Sequence, residues 1–171
     1  MNKIALYGGE PMISEKLPAV EDVSGRFIGD EELELVTEVI KSGCLNYING
    51  SKIAQFEKEF SEKYGVKYAA TCSSGTASLH GAVISLDLNP GDEVIVAPIT
   101  DMGTIIPILM QNLIPVFADV DPEIHNVDPS SVEEKVTGKT RAIIVVHMFG
   151  HPVDMDPIMK IAQKYNDKGI L

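Results

Sequence analysis

Four short apolar segments constrain this chain more than anything else in it: KYAAT (67–71), EVIVAP (93–98), IPVFADV (114–120) and RAIIVVHMF (141–149). Their apolar residues run on without alternating with polar ones, the pattern of strands covered on both faces rather than one. Helix-like stretches fall between and after them, over 76–86, 103–112 and 154–165, with a short helix opened by Asp128 as cap and Pro129 as first residue. Pro107 must either kink the helix over 103–112 or lie in its first turn. Strand, turn and helix in repetition predict an α/β fold, a mainly parallel sheet joined by right-handed crossovers. Gly169-Ile170-Leu171 reads as the start of one more strand, so the chain is expected to end inside a strand.

The first part of the chain follows another pattern. Residues 1–28 carry no sustained periodicity and are broken by Gly8, Gly9, Pro11 and Pro18, as in an extended arm. Asp30 is the expected N-cap of a helix with Glu31 and Glu32 in its first turn, Leu33, Val36, Val39 and Ile40 as its apolar stripe, and Ser42-Gly43 as its stop. Ser51 is the expected cap of a second helix, with Ile53, Phe56, Phe60 and Tyr64 at helical spacing and Gly65 at its end. The domain reading is an arm over 1–28 and one domain portion over 29–171.

A formal charge of −11 argues against a nucleic-acid backbone or an anionic membrane surface as partner, since both need a basic face. Cys44 and Cys72 form no CxxC pair or disulfide framework, which fits a reducing compartment. The N-terminus lacks the apolar core of a signal peptide, and no apolar run is long enough to span a bilayer. The expected location is the cytoplasm.

Several motifs are decoys. The GKT of Thr137-Gly138-Lys139-Thr140 lacks the P-loop's first glycine, Glu133 standing there, and it joins a helix to a strand. No GxGxxG is present. His147 and His151 in HMFGH lie at a strand end, where helical spacing does not apply, so no metal site is expected. His147 is placed either to line a ligand crevice or to make a structural hydrogen bond. Asp119, Asp121 and Asp128 lack the glycine and glutamate of a calcium loop and read as turn and cap residues. One motif is different: in AATCSSGTASLH a strand ends in small residues and a helix begins. The N–H groups of Gly75, Thr76 and Ala77, the helix dipole and the hydroxyls form either a phosphate cradle or an ordinary N-cap.

Taken in order, FIGDEELELVTEVIKSGCL, INGSKIAQFEKEFSEKYGVKYAATCSSGTASLH, NPGDEVIVAP, IPVFADVDPEIHNVDP and TRAIIVVHMFGHPVDMDPIMKIAQKY resemble the DegT/DnrJ/EryC1/StrS family of pyridoxal-phosphate enzymes, the sugar aminotransferases. Each segment alone is weak; the succession covers nearly the whole chain. The resemblance implies the N-terminal part of the large domain of a fold type I transferase, usually a homodimer. It implies pyridoxal 5′-phosphate as cofactor, held by Ser74, Gly75, Thr76 and Ala77, with Asp101 and His147 also at the cofactor. It implies that the loop of Asn46, Tyr47 and Asn49 reaches toward the partner's site, with the N-terminal arm wrapping nearby. The implied reaction moves an amino group from glutamate or glutamine to a keto-sugar, free or nucleotide-linked.

Two departures qualify that implication. The family's ring-stacking aromatic is replaced here by Asp101 within Pro98-Ile99-Thr100-Asp101-Met102-Gly103-Thr104, where Asp101 reads as a helix N-cap at least as well as a cofactor contact. The Schiff-base lysine and the acid that pairs with the pyridine nitrogen would both fall beyond Leu171, and Lys63, Lys67 and Lys160 match no family lysine. The 171 residues alone are therefore expected to be inactive. A sugar dehydratase of the same family, with histidine in place of the lysine, stays open, as does a non-catalytic remnant. A plain nucleotide-binding module comes last. An open edge of the sheet should also make the chain self-associate more than its charge implies.

Overall fold

The computed structural model describes residues 3–19 and 23–167. The chain divides into two units, Met1–Ala69 and Ala70–Leu171.

The first unit holds two helices, α1 (Asp30–Ser42) and α2 (Ser51–Tyr64). Each begins one residue earlier than a side-chain cap would set. Gly29 and Gly50 occupy the cap positions, so Asp30 and Ser51 are first helical residues rather than caps. At α1 the capping role passes to Glu32, whose Oε2 accepts the Gly29 N–H at 2.6 Å. That bond, together with Glu32's own N–H, holds its carboxyl below the ordinary glutamate range. Both helices close on a left-handed glycine, Gly43 at φ 68° and Gly65 at φ 65°. Neither helix buries a residue fully, and Phe56, Phe60 and Tyr64 stack along an exposed face of α2.

The second unit is a three-stranded parallel sheet of β1 (Glu93–Val96), β2 (Ile114–Phe117) and β3 (Thr140–Ile144), in the order β2-β1-β3. Four helices accompany it: α3 (Gly75–Ser85), α4 (Met102–Met110), α5 (Pro129–Lys135) and α6 (Met155–Asn166). The central strand shows why the sequence had to be apolar without alternation. Ile95 packs into one cluster with Val132 of α5 and Ile158 and Ile161 of α6. Val94 and Val96 point the other way, into a cluster with Val83 of α3 and Ile105 and Ile108 of α4. Side chains alternate between faces, and both faces are covered.

The expected α/β class and parallel sheet are thus present, with shorter strands. KYAAT forms no strand: a strand exists only through its ladder, and no described strand pairs with this segment. RAIIVVHMF keeps strand geometry only to Ile144, because its partner β1 ends at Val96, directly opposite. Pro107 neither starts α4 nor ends it; it lies buried in the helix interior. Asp128, Asp101 and Asp154 cap α5, α4 and α6 through their side chains. Gly169-Ile170-Leu171 lies outside the described residues. Among the described residues no helix is long and apolar enough to cross a membrane, and no cluster of metal-ligating side chains occurs.

Candidate active site

The strand order locates the site. From β1 the chain crosses by α4 to β2 on one side, then returns by α5 to β3 on the other. The helices fall on opposite faces, α4 with one core cluster and α5 with the other. The winding therefore reverses between β1 and β3, and ligand crevices in open α/β sheets lie at the carboxyl ends of such strands. The segment leaving β1 carries Pro98 to Asp101, and the segment leaving β3 carries His147.

The N-terminus of α3 meets this region. Ser74 is extended, with φ −163° and ψ 165°, and its Oγ accepts the Ala77 N–H at 3.1 Å. The Ser78 N–H and hydroxyl both donate to the Ser74 carbonyl, at 3.0 and 3.2 Å. Ala77 is thereby used inside the cap. Among the described residues the N–H groups of Gly75 and Thr76 have no acceptor, and they stand at the positive end of the helix dipole.

A second helix start lies beside the first. Asp101 Oδ1 accepts the Gly103 N–H at 2.6 Å, and its carbonyl accepts the Thr104 N–H at 2.9 Å. The Thr100 hydroxyl donates to Thr104 Oγ1 at 2.9 Å. Gly103 is where the two helices touch: a methyl group built on it would stand 2.5 Å from Thr76 Oγ1 and 2.7 Å from Asp101 Oδ1. Further along, His80 Nε2 and Gln111 Nε2 share a hydrogen bond at 2.7 Å. Thr76 and Asp101 are thus brought together through Gly103, a residue the sequence offered only as a glycine within an apolar helical run.

His147 is engaged differently. Its Nδ1 accepts the Val153 N–H at 3.0 Å, so its proton sits on Nε2, and the ring is exposed. The loop around it is held by Asn126, buried to 1 % exposure, whose Oδ1 accepts the Met148 N–H and whose Nδ2 donates to the His151 carbonyl, both at 3.0 Å. Asn126 was concealed in DVDPEIHNVDP among acidic turn residues. Asp121 and Asp128 there do accept backbone N–H groups in a turn and a cap. Thr137 and Lys139 form the tight loop before β3, with the Thr137 hydroxyl bonded to Glu93 Oε2.

Within the first unit, Asn46 Oδ1 accepts the Asn49 N–H at 2.9 Å, and the Tyr47 hydroxyl donates to Glu57 at 3.1 Å. Asn46 and Asn49 line a cleft of about 310 Å³ that also includes Ser42, Cys44 and Lys52. Lys52 pairs there with Glu38 at 2.8 Å.

Chemically, two unengaged N–H groups, a free hydroxyl at Thr76 and a helix dipole fit a phosphate. The Asp101 carboxylate opposes an anion, but one of its oxygens is turned into the cap of α4. A carboxylate cannot stack on an aromatic ring as an aromatic side chain does.

Comparison with known proteins places the chain in a family. The chain is 43 % identical over 138 residues to the spore coat polysaccharide biosynthesis protein SpsC of Bacillus subtilis, a match covering 81 % of this chain and 35 % of that protein. Among solved structures it resembles the aminotransferase from Psychrobacter cryohalolentis, with 40 % identity and a TM-score of 0.77 over 81 % of this chain and 35 % of that one. It also resembles the Escherichia coli GDP-4-keto-6-deoxy-D-mannose-3-dehydratase solved with bound hydrated pyridoxal phosphate, with 30 % identity and a TM-score of 0.74 over 81 % and 36 % of the two chains. The chain spans little more than a third of the length of these proteins. Its sheet and helices are those of the type I fold that the solved relatives share over that span. The family model for the DegT/DnrJ/EryC1/StrS aminotransferases matches residues 26–168, and the chain belongs to that family.

Proposed function

We propose that this chain is the phosphate-holding portion of a pyridoxal-phosphate-dependent sugar aminotransferase, which moves an amino group from glutamate or glutamine to a keto-sugar. The observation that carries the proposal is the start of α3, where among the described residues the Gly75 and Thr76 N–H groups have no acceptor and the Thr76 hydroxyl lies against Gly103 at the start of α4, beside the β1–β3 switch point. When bound, the cofactor would supply an electron sink for breaking and forming bonds at the amine-bearing carbon. The residues of this chain would do the binding. Gly75 and Thr76 would donate to the phosphate, Ser74 would hold the turn open with its hydroxyl proton still free to donate, and Ala77 would act through the cap. Asp101 would stand near the ring without stacking on it, and His147 would present its Nε2–H to the crevice. The Asn46, Tyr47 and Asn49 loop would serve the site of a second copy, and the exposed aromatic face of α2 supports such a homodimer. The arm over 1–28 and the domain portion over 29–171 belong to the same reading, as does a cytoplasmic setting, which the two free thiols favour.

The test uses the intact protein purified from its own source. Its mass shows whether it exceeds 18.5 kDa, as a catalytic lysine beyond Leu171 requires. Calorimetric titration should show pyridoxal 5′-phosphate binding about tenfold or more tightly than pyridoxal, since charge-assisted bonds to the phosphate are lost in the latter. Equal binding of the two overturns the proposal. A dehydratase is the second reading, favoured by the likeness to the Escherichia coli enzyme. Histidine at the lysine's place in the longer protein, and a keto-sugar product that carries no new amine, would decide for it.

A further inference from the structure

We propose that Gly103 is a positioning residue for the phosphate cradle: its missing side chain lets α3 and α4 approach closely enough to fix the Thr76 hydroxyl at the cradle's edge. This rests on the reading of α3 as a phosphate site. Gly103 is buried, second in α4, and its φ demands no glycine. What demands it is space. A methyl group there would lie 2.5 Å from Thr76 Oγ1, 2.7 Å from Asp101 Oδ1 and 3.6 Å from Thr76 Cβ. The first two separations are well inside the carbon–oxygen contact distance, so something must give.

The two neighbours differ in what moving them costs. Asp101 Oδ1 is tied at 2.6 Å to the Gly103 N–H itself, so it cannot leave without uncapping α4. Thr76 is β-branched, and in a helix its χ1 has few wells to choose from. A side chain at position 103 therefore either turns the Thr76 hydroxyl out of its present direction or pushes the first turn of α3 away. By contrast, Gly75, in the same cradle, has open space around an added methyl group, as do Gly81 and Gly138 elsewhere in this unit. Among the described residues of the second unit the crowding is specific to the meeting of the two helix starts.

The experiment is a double-mutant cycle in the intact protein, with Gly103→Ala, Thr76→Ala and both together. Two readouts are taken: affinity for pyridoxal 5′-phosphate and, without cofactor, hydrogen exchange of the amides in the first turn of α3. The expected result is that Gly103→Ala and Thr76→Ala each weaken cofactor binding by about tenfold. The double variant should then bind no worse than Thr76→Ala alone, because the clash that reaches α3 disappears with the hydroxyl, while the Asp101 contact stays within the cap of α4. In the cofactor-free protein, Gly103→Ala should speed exchange in the first turn of α3, and much less so when Thr76 is alanine. Additive effects in the cycle, or a Gly103→Ala variant with unchanged affinity and exchange, overturn the proposal. If Gly103→Ala fails to fold and the double variant folds, the clash with Thr76 is upheld; if both fail, Gly103 serves the core and the proposal falls. Wild-type protein that binds no cofactor while its exchange responds as expected refutes the phosphate reading alone.

Discussion

Asn126 makes the clearest residue-scale case. One amide group serves a donor and an acceptor on the loop after β3, from a position with 1 % exposure. Leucine has nearly the same shape but neither function, so Asn126→Leu would leave the Met148 N–H and the His151 carbonyl without their partner. We expect a loss of about 2–3 kcal/mol, read as a lower urea midpoint at unchanged slope. No loss would mean that water replaces both bonds. Neither this residue nor Gly103 announced itself in the sequence. An asparagine among aspartates reads as one more turn former, and a glycine in an apolar helix reads as a flaw. Their roles exist only against neighbours 22 to 27 positions away.

At the scale of elements, helix starts dominate. Asp101 and Asp128 were readable as caps because an aspartate before a helical pattern meets its N–H partner two residues on, whatever the rest of the fold does; Asp154, read as the first residue of its helix, caps it in the same way. α1 and α2 are the exceptions, with Gly29 and Gly50 at their caps, and at α1 the capping bond comes from Glu32 reaching back to Gly29. Since the folded protein holds the Glu32 carboxyl below the ordinary value of about 4.3, its contribution is present at neutral pH and is lost as pH falls through that lowered value. The variant Glu32→Gln should therefore show less helical signal than wild type at pH 7, with the gap closing under strong acid. A gap independent of pH would show that the charge plays no part.

At the scale of the whole molecule, apolar surface is left open. Phe117 and Ile114 on the edge strand β2 are 48 % and 45 % exposed, while α2 presents Phe56, Phe60 and Tyr64. β2 is an edge strand of the described sheet, and such an edge is a pairing template, while the charge of −11 opposes association only at long range. Sedimentation of the 171-residue chain should show species heavier than 18.5 kDa that grow with protein concentration and persist at low salt. A sharp monomer that melts cooperatively would refute this.

What could be read from the chain alone was whatever is local or periodic. The continuous apolar runs specified a sheet covered on both faces, the caps Asp101 and Asp128 placed two helix starts, and the order of segments placed the chain in its family. Ladder pairing could not be read that way, because a strand's length is set by its neighbour: β3 stops where β1 stops, and KYAAT, which pairs with no described strand, is no strand. The site has the same division. Ser74, Gly75 and Thr76 are contiguous, so their helix start was visible as a motif. The meeting of Thr76, Asp101 and Gly103 joins residues about 25 positions apart, through a contact that depends on how α3 and α4 pack on a shared apolar cluster. Local hydrogen bonds and periodicity act within a few residues, whereas packing joins whatever the fold brings together.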